Sequence, residues 1–301
     1  GFGLFVSKTI DKLFRVGWDR DYQRSVWGST LSTSACLERK RSQGGSRGVL
    51  FDGSGLMDRN RFISVCQGFD VTSLNRDVKV QTVSTDGKVR IVTVSSLDMC
   101  YLKPLHDLLY RYLSRFPWLL RGEAKPSCFA EFHRKSGEVF VSGDYENATD
   151  NLNLGVARHI LREILRKCSH VPIQVQDLAL DSLTKELLFD GRRVSHKRGQ
   201  LMGSLLCFPL LCLQNYLAFK FSVRRRVPVR INGDDIVFRC RPDEYVRWSN
   251  TVGSIGLKLS VGKTNVESRW FSLNSSFFEA TWTNPRLIPV VRSTQIFKRV
   301  E

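Results

Sequence analysis

The chain has 301 residues, 42% of them hydrophobic and 25% charged, with a formal net charge of +17 and a pI near 9.8. That is the composition of a globular rather than a disordered chain, long enough for one large or two ordinary domains. The charge suits a polyanionic partner, above all a nucleic acid whose phosphates it would neutralise, although a membrane surface or a ribosome would satisfy the same field.

The longest apolar run, 205–213, contains Pro209 and is too short to span a bilayer. No charged-then-apolar stretch of the signal-peptide kind appears in these residues, so a secretory signal is not expected from them. The chain opens on Gly1, so a fragment or a processed product is expected. Eight scattered cysteines without a C-x-x-C pair predict reduced, buried thiols and no structural zinc.

Residues 28–60 are rich in Gly, Ser and Arg and read as a long basic loop, equally suited to solvent and to nucleic acid. Two strands are predicted over 78–94 around the turn signal Asp86-Gly87. Leucines from Leu102 to Leu113 predict a helix over 98–120. A short strand over 139–142 leads into Gly143-Asp144, and Thr149-Asp150 is expected to open the next helix. A further helix is predicted over 174–188, followed by a turn at Asp190-Gly191. A Gly-rich loop, 199–204, feeds an apolar helix over 207–221, with Pro209 tolerated in its first turn. Residues 229–238 read as strand, tight turn, strand, with Gly233-Asp234-Asp235 at the tip. A helix over 242–255 and strands over 257–260 and 277–281 complete the pattern.

Two acidic signals stand out. Asp144 follows Val139-Phe140-Val141 at the C-terminal end of a strand, a favoured place for site residues. Asp234 and Asp235 sit between β-branched and aromatic flanks, where two adjacent like charges repel unless a cation neutralises them. A strand-end carboxylate and a hairpin-tip doublet are what a two-metal phosphoryl-transfer site needs. The plain alternatives are an exposed hairpin turn for the doublet and a helix cap for Asp150. A Gly-Asp-Asp triplet alone is a weak signal; its flanks and its company carry the weight.

The order of motifs resembles the viral RNA-dependent RNA polymerases over residues 79–282, and most of all those of ourmia-like viruses within the levivirus, narnavirus and mitovirus lineage. Gly143-Asp144 through Asp150 is similar to motif A, with the lineage's six-residue spacing between aspartates. Gly199 through Gly203-Ser204 to Asn215 resembles motif B, and Gly233-Asp234-Asp235 motif C. Lys263-Thr264 resembles motif D, Phe277-Phe278-Glu279 motif E, and Lys88-Val89-Arg90 motif F. One departure is Cys207, where the lineage carries Ser or Thr; a thiol is a weaker donor, so sugar recognition from this position is not carried over.

The resemblance implies an α/β (α+β) right-hand polymerase with an antiparallel palm sheet, packed helices, fingers segments and most of the thumb missing. The implied division is fingers and N-terminal segments over 1–138, palm over 139–168, a fingers insertion over 169–198, palm again over 199–284, and the start of a thumb over 285–301. It implies template-directed ribonucleotide addition with two Mg²⁺ or Mn²⁺ ions held by Asp144, Asp234 and Asp235, and Lys263 as proton donor to the pyrophosphate. Nucleotide contacts fall to Lys88, Arg90, Tyr145, Asp150, Gly203, Ser204 and Asn215, with Asp150 accepting from the ribose 2′-OH. The plain readings remain beside these: a solvent-facing strand edge for Lys88 and Arg90, a helix-entry loop for Gly203, a surface lysine for Lys263.

The implied partners are an RNA template and product and ribonucleoside triphosphates, and the implied location is the host cytoplasm or the mitochondrion. Two rival classes share some of these features. A reverse transcriptase-like enzyme usually blocks the 2′-OH with an aromatic residue, where this chain has Thr149. A non-catalytic basic RNA-binding protein accounts for the charge but not for the two acidic signals.

Overall fold

In the computed structural model, residues 1–85, 87–146, 153–183, 186–195, 204–260 and 262–289 are described. They form two compact units, and neither is continuous in sequence. The first comprises residues 1–113 and 148–214, the second 114–147 and 215–301. Of the expected palm segments, 139–147 and 215–284 thus fall in the second unit, and 148–168 and 199–214 in the first.

The first unit is mainly helical. Its elements are α1 (Phe2–Leu13), α2 (Tyr22–Gly28), α3 (Gly45–Gly48), α4 (Arg59–Cys66), α5 (Lys103–Leu113), α6 (Leu154–Leu165) and α7 (Ile173–Asp181). Strands β1 (Val78–Thr85) and β2 (Lys88–Ser95) form the expected hairpin. Beside it lies a second hairpin, β5 (Glu186–Phe189) with β6 (Arg192–Ser195), in the order β2-β1-β5-β6.

Several elements differ from the sequence reading. The helix predicted over 98–120 is a 3₁₀ segment, Leu97–Leu102, followed by α5, because Pro104 is compatible with the first turn of a new α-helix but not with an older one. The predicted helix 174–188 ends at Asp181, and Leu187 and Leu188 belong to a strand that pairs with β1. Within 28–60, helical turns interrupt the predicted loop, and Val49 is buried. Helix α6 follows Asn153, whose side chain accepts from the N–H groups of Gly155 and Val156, and the predicted helix start at Thr149-Asp150 lies outside the described residues. Helices α1, α2 and α4 were not foreseen.

The second unit is built on an antiparallel sheet in the order β10-β3-β8-β7. Its strands are β3 (Val139–Gly143), β7 (Val229–Asn232), β8 (Asp235–Cys240) and β10 (Asn265–Glu267). Two short strands, β4 (Tyr145–Glu146) and β9 (Lys258–Leu259), pair beside it. A separate sheet holds β11 (Trp270–Leu273), β12 (Ser276–Glu279) and β13 (Arg286–Ile288). Helix α8 (Cys207–Ser222) contains the boundary between the units, and α9 (Pro242–Ser254) lies wholly in the second. From Pro209 to Asn215 every residue of α8 is buried, the polar Gln214 and Asn215 included.

The second unit's core joins Phe129, Phe132, Phe140, Phe271 and Phe278. Its ring centroids lie 4.7–6.2 Å apart across edge-on, tilted and stacked pairs. At the Val139–Cys240 end of the sheet, buried Glu138 accepts from Arg239 Nε at 2.7 Å and pairs with Arg225 at 2.7 Å. Arg225 also forks onto Glu244 at 2.8 and 2.9 Å. All eight cysteines are free thiols, five of them buried. No described helix is long and apolar enough to cross a membrane.

Candidate active site

The second unit brings the two acidic signals together. Strands β3 and β8 run antiparallel, and their last pair is Gly143 with Ile236. One step further along that register sets Asp144 opposite Asp235. Asn232 pairs with Asp235, so Gly233 and Asp234 are the two residues of a tight hairpin. Such a loop needs a positive φ at its first central position, and Gly233 supplies it at 61°. The glycine before Asp144 has a different reason. A Cβ on Gly143 would stand 2.8 Å from both Ile236 and the Trp248 ring, so only glycine lets these side chains cover the strand end.

Three carboxylates in a half-buried corner perturb one another. Burial pushes the Asp235 carboxyl up from 3.8 to about 7, with the charges of Asp234 and Asp144 adding to it. Burial also raises Asp234, with Asp144 contributing. Tyr145, fully buried in its ring, is held well above its ordinary range by burial and by Asp234 and Asp144. The opposing charge comes from Lys263, whose Nζ is 3.9 Å from Asp144 Oδ2. A cavity of about 290 Å³ opens here, lined by Asp144, Asp235, Lys263, Ser142, Ser272 and Asn274.

Backbone and side-chain bonds fix the acids' surroundings. The Asp144 carbonyl accepts from Ser260 N–H at 2.8 Å and from the Thr264 hydroxyl at 3.2 Å. The Asn274 backbone, close to the Asp235 carboxylate, moderates its rise. Ser142 Oγ accepts from Ser272 N–H at 2.9 Å, tying β11 to β3. Asn215 is fully buried; it accepts from the Tyr145 hydroxyl at 2.8 Å and donates to the Gly233 carbonyl at 3.1 Å.

The donor set is hard oxygen with excess negative charge, the chemistry of a Mg²⁺ or Mn²⁺ site, and like charges this close call for a cation. Among the described residues, no three His, Cys, Asp or Glu side chains converge as a preformed ligand cluster. The three acids therefore fit a metal by chemistry and by mutual repulsion, not as a cage already closed.

Of the remaining sequence-predicted residues, Ser204 lies just before α8, and its carbonyl accepts from Cys207 N–H at 3.2 Å. Lys88 and Arg90 lie on β2 in the first unit, and their side chains are outside what is described. Asp150 and Gly203 lie outside the described residues. Sequence reasoning missed Asn274, Ser142 and the clamp made by Thr264. Thr264 was within reach as the residue after Lys263, whereas Asn274 acts through its backbone and leaves no trace in its side-chain type.

Comparison with known proteins follows the same line. Over 356 residues the chain is 26% identical to the RNA-dependent RNA polymerase of Ourmia melon virus, covering 96% of this chain and 40% of that protein. Crystal structures of the RNA-dependent RNA polymerase of a human picobirnavirus superpose with a TM-score of 0.54. Its insertion-loop deletion mutant gives 0.54 as well, at 14% identity over 68% of this chain. This chain has the fold of a viral RNA-dependent RNA polymerase. The resemblance to the ourmia-like polymerases read from the motifs holds across nearly its whole length. No family model matches. The chain spans less than half the length of these polymerases, 40% of the ourmiavirus protein and 43–44% of the picobirnavirus chains. Within the polymerase fold, β3 and the β7–β8 hairpin carry the acids, in the sheet that the sequence reading assigned to the palm.

Proposed function

We propose that this chain is the part of a viral RNA-directed RNA polymerase that carries the nucleotidyl-transfer site. The observation that supports it most is the meeting of Asp144 with the Asp234-Asp235 hairpin at one end of β3 and β8, ninety positions apart in sequence. In this reading Asp144 and Asp234 hold two Mg²⁺ or Mn²⁺ ions, with Asp235 assisting. When bound, such ions acidify the attacking 3′-OH and stabilise the pyrophosphate leaving group.

The chain's own residues do the rest. Gly143 and Gly233 let the two acid-bearing strand ends approach. Thr264 and Ser260 hold the Asp144 backbone, and the Asn274 backbone tempers the rise of the Asp235 carboxyl. Lys263 balances the acids' charge, and in this reading it is the proton donor to the departing pyrophosphate. The substrates in this reading are an RNA template and ribonucleoside triphosphates, with the basic surface supplying phosphate contacts. The acids repel one another at an energetic cost that a purely RNA-binding protein has no reason to bear.

The test is Asp234→Asn in the intact polymerase. Synthesis should fall by at least about a thousandfold, as for loss of a group that stabilises transition-state charge. RNA binding should stay within about twofold, because affinity comes from the basic surface. Undiminished polymerisation by that variant would sink the assignment.

A further inference from the structure

Helix α8 buries two neighbouring amides, Gln214 and Asn215, and both ends of the Asn215 amide are spent inside the protein. Its two amide ends point at the neighbours of two different acids. Oδ1 accepts from the hydroxyl of Tyr145, the residue after Asp144, at 2.8 Å. Nδ2 donates to the carbonyl of Gly233, the residue before Asp234, at 3.1 Å. A carbonyl can only accept and the tyrosine has one proton to give, so the amide's orientation is fixed by its partners. The side chain has no exposed surface with which to meet a nucleotide.

We infer that Asn215 is a positioning residue: it spans the site from behind and sets the distance and direction between Asp144 and Asp234. The bond to Gly233 fixes the plane of the Gly233–Asp234 peptide and so the base from which the Asp234 carboxylate projects. The bond from Tyr145 anchors the backbone immediately after Asp144. Tyr145 is itself packed on Trp248, with centroids 6.3 Å apart, and Trp248 covers Gly143 on the other side of Asp144. A buried amide in apolar surroundings is costly unless both ends are satisfied, and here both are. The inference rests on the polymerase reading, and it gives Asn215 a role different from the nucleotide contact that its motif implies.

The experiment compares Asn215→Ala, Tyr145→Phe, the double variant and Asp234→Asn in the intact polymerase. Mn²⁺ affinity is measured by calorimetry without substrate, and turnover with ribo- and deoxyribonucleotides alongside. Asn215→Ala should weaken Mn²⁺ binding about tenfold and lower kcat about a hundredfold, the scale of an ångström misplacement. KM for ribonucleotides should stay within about threefold and the ribose preference should not move, since no substrate contact is lost. Tyr145→Phe should move the same quantities in the same direction by less. In the double variant it should add nothing, because its hydroxyl acts only through Asn215.

If Asn215→Ala fails to fold, Tyr145→Phe, which keeps the ring, carries the test alone. A folded variant with Mn²⁺ affinity and kcat intact would overturn the inference. So would a raised KM or a lost ribose preference with normal Mn²⁺ affinity, which would mark a nucleotide contact instead. Equal Mn²⁺ affinity in wild type and Asp234→Asn, with no difference in turnover, would overturn the polymerase reading and this inference together. A dead Asp234→Asn beside an unaltered Asn215→Ala would overturn this inference alone.

Discussion

Burial and two neighbouring carboxylates raise the Asp235 carboxyl to about 7, so it is only partly ionised near physiological pH. Its carboxyl titrates near 3.8 when unfolded and at about 7 when folded. Between those values the folded chain keeps a proton that the unfolded chain has lost, so stability is greatest at the acid end and declines as pH rises towards 7. Without metal, the melting temperature should therefore fall across that window, and Asp235→Asn should flatten the decline. Adding Mn²⁺ above pH 7 should restore stability in wild type more than in the variant, because the ion binds the ionised form. Thermal melts across pH with and without Mn²⁺ check this, and a wild-type profile that rises from pH 4 to 7 would contradict it. At this scale much was legible. Asp144 and the Asp234-Asp235 doublet stood out because charge inside apolar flanks is unusual wherever it occurs, whereas Lys263 was reached only through the resemblance in motif order. Asn274 and Ser142 could not, because a backbone N–H and a serine hydroxyl announce nothing until the hairpin that carries them is folded.

Among the elements, hairpins were the most legible and helix ends the least. Asp86-Gly87 and Gly233-Asp234 mark turns by backbone chemistry that few other residues can satisfy. The strand at Leu187 and Leu188 was read as helix because its apolar residues also fit a helical period, and only its pairing with β1 decides between the two. The start of α6 bears most directly on function. Asp150, outside the described residues, keeps its two readings, helix cap and sugar sensor, while α6 itself is capped by Asn153, through 2.8 and 3.4 Å bonds from Gly155 and Val156. Asn153→Ala should therefore cost about 1 kcal/mol of stability. Asp150→Ala should leave that contribution intact and instead lose more rate with ribonucleotides than with deoxyribonucleotides, as when a site built for a hydroxyl loses its acceptor. Incorporation of both nucleotide types, measured beside unfolding of both variants, separates the roles. An unchanged ribose preference in folded Asp150→Ala would remove the sugar-sensing role.

At the scale of the whole molecule, the division into units was the least legible feature. Each unit is assembled from two distant stretches, and the boundary at 214–215 falls inside the continuous helix α8, where composition does not change. Net charge, by contrast, was legible at once and has consequences independent of the fold. With +17 on 301 residues, binding to single-stranded RNA should be governed by counterion release, so log affinity should fall linearly with log salt. Each phosphate neutralised contributes a slope of about −0.7. The acids of the site and the basic surface should then be separable. Asp234→Asn removes one negative charge from a half-buried corner and should leave the salt slope unchanged within about one phosphate contact. Reversing Arg192 and Arg193, exposed on β6 in the first unit, would reduce the slope if that strand lies along the RNA and leave it alone if it faces only solvent. Fluorescence anisotropy of a short labelled RNA at several salt concentrations gives both slopes. A flat dependence in wild type would mean that the charge serves another purpose, because phosphate contacts cannot form without releasing ions.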